Sequence, residues 1–358
     1  MHPVIAVVVL GTIFVLGECS EIGKRVINGY DVQENQYPWA VSIKGIHPIT
    51  RTITFCGSTI IADRWLLTAA HCFWASMKKK SYLMNPENWH AQAGSAEIEL
   101  GDRHTDREEV IETSAQPSET FFRLLQRLFE YLQRKSKHQE NTIYHLHAEK
   151  IILHPKYRPD ELENDIALVK LKGTLPLAKR SVSLAKLPSG WKTSDWPPVS
   201  STCTFVGWGC QINNGPPSSR AQVIALKVLP NPVCSQIYNH GAGLNAEHEF
   251  CAGYYKSKVG ICAALLQSNY VYFVVTAIAN LTVICFFPSV LNPTNNNACS
   301  LRKQGDSGSG LIYLYKRQPV VVGVASATHA ERPQSFPGLF TRVASFTDWI
   351  QETIHKES

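Results

Sequence analysis

Four short segments in a fixed order constrain this chain more than anything else in it. The last is Gly305-Asp306-Ser307-Gly308-Ser309-Gly310. Alone it would read as a turn, because glycine and small polar residues crowd ordinary turns. Upstream, however, Leu67-Thr68-Ala69-Ala70-His71-Cys72 offers a histidine base, and Asn164-Asp165-Ile166-Ala167-Leu168 offers a carboxylate set in an apolar run. Further upstream, Lys24-Arg25-Val26-Ile27-Asn28-Gly29 places a basic pair before a β-branched pair. The order His, Asp, Ser is one of the chain orders able to build a nucleophile–base–carboxylate triad. Singly, His71 reads as a core histidine, Asp165 as a turn cap and Ser307 as a turn residue. Within these flanks, and in this order, they read as one constellation. His47, His90, His138 and His154 lack such flanks and read as surface residues.

The chain has 358 residues, 44% hydrophobic and 18% charged, which leaves ample core. All-β units reach roughly 200–250 residues, so the excess must be targeting sequence, insertions or a further domain. The formal net charge of +6 is spread along the chain. No basic stripe with interleaved aromatics appears, which argues against a nucleic-acid partner. Pro3 to Gly17 form an apolar run ending in small residues, too short and wrongly flanked for a membrane span; residues 1–19 read as a secretory signal peptide. Ten cysteines agree with an oxidising, extracellular destination.

From Tyr37 onward, short β-rich runs alternate with turn signals. Examples are Val41–Ile43, Ser58–Ile61, Trp65–Thr68, Ile166–Leu171, Cys203–Gly207, Gln222–Val228, Val320–Ser326 and Gly338–Arg342. Such spacing predicts an all-β barrel or sandwich.

Together these residues resemble the trypsin/chymotrypsin family of serine endopeptidases, over most of residues 26–262 and 304–354. The resemblance implies two six-stranded antiparallel β-barrels with the site between them and a C-terminal helix over Thr347–Ile354. It implies a 20–25 activation peptide, removed by an activating protease after Arg25, and a peptidase domain over 26–358. The new Val26 ammonium would then pair with Asp306. The resemblance also implies His71, Asp165 and Ser307 as catalytic triad, with the N–H groups of Gly305 and Ser307 as oxyanion hole. Disulfides Cys56–Cys72 and Cys234–Cys251 follow from it. Cys203 and Cys262 match members of two further family bridges whose expected partners are missing; Cys19, Cys210, Cys285 and Cys299 have no assignment. Ser309 and Gly310 depart from the family's usual Gly-Pro.

The residue types suit that chemistry. A serine hydroxyl is a weak nucleophile until a neighbouring base takes its proton, and imidazole titrates near neutrality. Asp165 would hold the imidazole tautomer. Gly305 leaves its backbone N–H unobstructed. The matched pocket positions are Gly260 at the base and Thr328 and Gly338 on the opposite walls, with Ser326 beside them; Thr328, bulkier than the family's usual glycine, would narrow the entrance. With Gly260 in place of an aspartate, a cationic substrate side chain would be desolvated without a partner, so the pocket favours apolar side chains. If Cys299 rather than Cys262 is the true counterpart, Asn297 or Leu301 lies near the base, again without negative charge. Ser326-Ala327-Thr328 should pair with substrate backbone.

Two stretches exceed the resemblance. His71 and Asp165 lie 94 residues apart, and Asp165 and Ser307 lie 142 apart; the best-known triad of this order has roughly 45 and 93. One insertion covers roughly 103–147, with an amphipathic helix over 118–135. The other covers 263–303 and includes the uncharged run Tyr270–Leu291, long enough to span a bilayer. A spanning helix there would tear the loop before Gly305 from its barrel. Residues 263–303 therefore read as translated non-coding sequence from a wrong gene model, a surface insertion being the alternative.

The expectation is a secreted zymogen of a serine endopeptidase acting on polypeptides, subject to protein inhibitors. It needs no cofactor or metal, and no ligand spacing or phosphate loop is present in the sequence. The alternative is a catalytically impaired homologue that binds a partner.

Overall fold

The computed structural model describes residues 29–51, 53–74, 82–98, 142–188, 190, 196–210, 217–238, 244–257, 259–262, 305–329 and 332–358, with the backbone of 264–266. The signal and activation segments, Arg25, Val26, His138, the 118–135 helix, the 270–291 run, Cys19, Cys285 and Cys299 lie outside the described residues.

Fourteen strands are described. They are β1 (Tyr30–Asp31), β2 (Ala40–Ile46), β3 (Ile53–Ala62), β4 (Trp65–Thr68), β5 (Trp89–Ala93), β6 (Tyr144–Leu153) and β7 (Ala167–Leu171), then β8 (Thr202–Gly207), β9 (Gln222–Lys227), β10 (Glu249–Ala252), β11 (Ala264–Leu266), β12 (Gly310–Tyr315), β13 (Gln318–His329) and β14 (Gly338–Arg342). Helix α1 spans Asn231–Ile237 and helix α2 spans Thr347–Lys356. β6 begins at Tyr144, so residues 144–147, placed in the first insertion from sequence, belong to a barrel strand. Its pairing with β5 through Ala93↔Tyr144 and His90↔His147 is the reason.

The first barrel closes in the order β2-β3-β4-β7-β6-β5. Val41, Ile43, Leu66 and Leu168 fill it. Trp89 is buried there with its ring 4.7 Å from that of Phe73, and its indole N–H donates to Leu83 O at 2.8 Å. Gly45 lies under that indole, where a Cβ would stand 2.8 Å from the ring.

The second sheet runs β1-β9-β8-β12-β13-β14-β10, with β11 on β13. Beyond β9 the chain bonds β10: Leu229 N–H donates to Cys251 O at 2.9 Å and Gly253 N–H to Lys227 O at 2.8 Å. That contact closes β9-β8-β12-β13-β14-β10 into a second six-stranded ring, around Phe205, Leu226, Phe250, Leu311 and Phe340. The two-barrel, all-β fold with a C-terminal helix is therefore present.

The barrels share apolar surface. The first core continues into Ile312, Val321 and Val324 of the second half and into Ile350 of α2. Apolar area removed from water stabilises at about 25 cal/mol per Å², so this shared cluster binds the halves rigidly. Residues at their junction are positioned by both.

Candidate active site

His71 sits on a short 3-10 turn, Ala70–Cys72, that follows β4 directly. Asp165 enters just before β7. The kink that presents it is made by Asn164, whose φ is +55° and whose side-chain amide donates to Lys156 O at 2.9 Å. A left-handed backbone is tolerated by asparagine because its short side chain bonds locally. Asp165 is fully buried. Its Oδ1 accepts the His71 backbone N–H at 2.8 Å and its Oδ2 lies 2.6 Å from His71 Nδ1. A carboxylate on Nδ1 selects the tautomer with the proton there, leaving Nε2 as acceptor.

The second barrel completes the hold on Asp165. Ser326 Oγ of β13 donates to Asp165 Oδ2 at 2.5 Å, and Thr341 Oγ1 of β14 donates to Asp165 O at 2.9 Å. Sequence reasoning placed Ser326 among the pocket positions and on the substrate strand, with no link to Asp165. Its bond to Asp165 depends on two barrels meeting, and no local pattern signals it.

Ser307 lies on the loop before β12. Its carbonyl accepts Gly57 N–H at 2.8 Å and lies 3.9 Å from Sγ of Cys72, the neighbour of His71. Gly308 has φ +79°, and a Cβ there would collide with Thr68 Oγ1 and stand 2.6 Å from Gly57 O. Only glycine lets the loop press against the first barrel there. Gly305 is similarly tight: a Cβ would stand 2.5 Å from Trp208 O. His71 Nε2 and Ser307 Oγ are both buried and, among the described residues, make no hydrogen bond. Such bonds often form only once substrate is in place. Ser309 is buried against Gly57, occupying the space a side chain at 57 would need.

Asp306 is fully buried. Gly209 N–H donates to its Oδ1 at 2.9 Å and Cys262 N–H to its Oδ2 at 2.7 Å. Desolvation pushes its carboxyl up to about 7, against the pull of those two donors. Among the described residues no cationic group pairs with it.

The pocket positions are tighter than the sequence suggests. A Cβ at Gly260 would collide with Pro333 O and stand 2.8 Å from Gln334 Cα. At Gly338 a Cβ would stand 2.5 Å from Ile261 Cδ1. Thr328, read as narrowing an entrance, is completely buried. The strand expected to meet substrate backbone is partly taken: β11 pairs in parallel with Ala327–His329, in the register Ala264↔Ala327. An unpaired strand edge accepts whatever chain lies beside it.

Three disulfides are present among the described residues: Cys56–Cys72, Cys234–Cys251 and Cys210–Cys262. The third joins Cys210, which the sequence left unassigned, to Cys262, whose expected family partner is missing. Cys203 is a buried free thiol, pushed up to about 12 by burial. The sulfurs beside His71 are bridged and offer no thiolate to a metal ion. No helix among the described residues is long and apolar enough to cross a membrane.

Comparison with known proteins agrees with this architecture. A protein-family model, Trypsin, matches residues 26–113, 129–264 and 285–350. The chain is 25% identical over 337 residues to transmembrane protease serine 9 of Rattus norvegicus, covering 92% of this chain but only 22% of that protein's length. It is also 25% identical over 362 residues to anionic trypsin of Bos taurus, covering all of both chains. A family match over most of the chain, on a fold of two six-stranded barrels, places this protein in the trypsin family.

Proposed function

We propose that this chain is a secreted serine endopeptidase, made as a zymogen that an activating protease cleaves after Arg25. It hydrolyses peptide bonds on the carboxyl side of apolar residues. The observation that carries this reading is the buried Asp165 Oδ2–His71 Nδ1 contact of 2.6 Å. It supports a histidine oriented to act as base.

In this reading His71 Nε2 takes the Ser307 hydroxyl proton as Oγ attacks the substrate carbonyl carbon. The oxygen becomes an oxyanion held by Gly305 and Ser307 N–H. The C–N bond then breaks and the Nε2 proton passes to the leaving amine. Water repeats the sequence and releases the acid. Both N–H groups matter, because losing one oxyanion donor costs about 100- to 1,000-fold in rate. Cleavage at Arg25 would supply the Val26 ammonium as partner for Asp306. The apolar preference is supported by Gly260, where the backbone of Pro333 and Gln334 leaves no room for a side chain.

A serine-directed phosphonate applied after cleavage at Arg25 tests the activity: labelled Ser307 is expected, and an unlabelled serine sinks the reading. A peptide-library profile dominated by Lys or Arg would overturn the specificity.

Residues 263–303 enter this proposal as translated non-coding sequence; the family match is interrupted over 265–284 and resumes over 285–303. Peptides of the native protein mapping within 263–303 would count against it.

A further inference from the structure

The two N–H groups that hold Asp306 come from segments far apart in the chain, Gly209 after β8 and Cys262 before β11. The disulfide Cys210–Cys262 crosses the same gap. One of its ends is a donor residue itself, and the other is the immediate neighbour of the second donor. The cradle is narrow. A Cβ at Gly207 or at Gly209 would collide with the Asp306 carboxylate. The Gly209 side is anchored independently: Trp208 Nε1 donates to Ala96 O at 2.9 Å, and Ser218 N–H donates to Trp208 O at 2.9 Å. The Cys262 side follows Ile261, which is buried in the second-barrel core, and the bridge ties that side to the Gly209 side. Asp306 lies between Gly305 and Ser307, and seating its carboxylate orients the peptide units on both sides of it.

We propose that the Cys210–Cys262 disulfide is a positioning device for the reaction: it holds the Gly209 and Cys262 donors at the spacing that seats Asp306, and so sets the Gly305 and Ser307 N–H groups toward the reacting carbonyl. The inference rests on Ser307 being the nucleophile. A bridge of this kind acts on the transition state, where the oxyanion forms, rather than on binding of substrate elsewhere along the cleft.

The test uses the full chain cleaved after Arg25. Mass-spectrometric mapping without reduction should return a Cys210–Cys262 cross-linked peptide; any other pairing of Cys262 overturns the proposal. The double variant Cys210→Ala/Cys262→Ala should lose about tenfold or more in kcat on a short apolar amide substrate, with little change in KM, the signature of an interaction made only in the transition state. Cys203→Ala, at the buried unbridged thiol, should keep the parent kcat. A double variant with lowered Tm but unchanged kcat well below that Tm, or with the loss confined to KM, shows a merely structural bridge and overturns the proposal. If the double variant does not fold, Gly209→Ala crowds the same carboxylate with the bridge intact. It must show the same loss of kcat, and an unchanged kcat overturns the proposal. Failure of the parent to label at Ser307 would sink the activity instead, while the peptide map would still decide the pairing.

Discussion

At the scale of single residues, Asp165 is held from both barrels. Both carboxylate oxygens and its carbonyl are occupied, by His71, Ser326 and Thr341. Hydrogen bonds to a charged acceptor contribute about 1.5–3 kcal/mol. Ser326→Ala should therefore lower kcat/KM by about ten- to a hundredfold while leaving the fold intact. Steady-state hydrolysis of an apolar peptide amide, with circular dichroism as control, checks this. Gly260 makes a different prediction. Introducing Asp there should fail to create a preference for Lys or Arg and should lower Tm, because the Cβ has no room beside Pro333 and Gln334. Cleavage profiling and a thermal melt of Gly260→Asp test it. His71, Asp165 and Ser307 were legible as candidates because each sits in a distinctive flank. The role of Ser326 was not, because it arises from a partner 161 positions away.

At the scale of elements, strand positions followed from short β-rich runs bounded by turns, and α2 from the family resemblance. Where α2 docks was not legible. Ile350 is fully buried, in the same cluster as Val343, Phe346 and the first-barrel residue Ile151. His154, read from sequence as a surface residue, lies edge-on to Phe346 and Trp349 with ring centroids 5.0 and 4.9 Å away. Desolvation there, with His248 and Lys156 nearby, lowers it to about 4. Truncating a buried aliphatic costs about 2–5 kcal/mol, so Ile350→Ala should move the urea midpoint down by that equivalent. It should leave phosphonate labelling of Ser307 unchanged below the transition. The element the sequence misjudged most is the strand edge at Ala327–His329, which β11 occupies. Alternation predicts that a stretch is a strand but not which neighbour pairs with it.

At the scale of the whole molecule, two closed barrels press a continuous apolar surface together and bury ionisable groups. Asp306 and Glu249 are both pushed up to about 7, chiefly by desolvation, from ordinary values of 3.8 and 4.5. A carboxyl raised in the folded state favours folding most when protonated. Its contribution is therefore complete below the ordinary value and lost as pH rises through about 7. His154 works oppositely: its contribution is present above 6.5 and lost as pH falls through about 4. Above about pH 6.5 the histidine no longer changes, so the uncleaved chain should lose stability between about pH 6.5 and 8. Urea midpoints should show a shallower fall in Glu249→Gln and again in Asp306→Asn. After cleavage at Arg25 the Asp306 part should vanish if, as proposed, the Val26 ammonium takes up the buried charge. By itself the sequence determined the β-barrel class, the order of the candidate residues and the short strands that carry them, because those features reside in local composition and flanks. Only the tertiary structure decided that Ser326 bonds Asp165, that Cys210 bridges Cys262, that β11 takes the edge beside Ala327, and that Gly260 has no space above it. Each of these depends on segments distant in the chain being brought together by the shared core, and no local pattern encodes which distant segments meet.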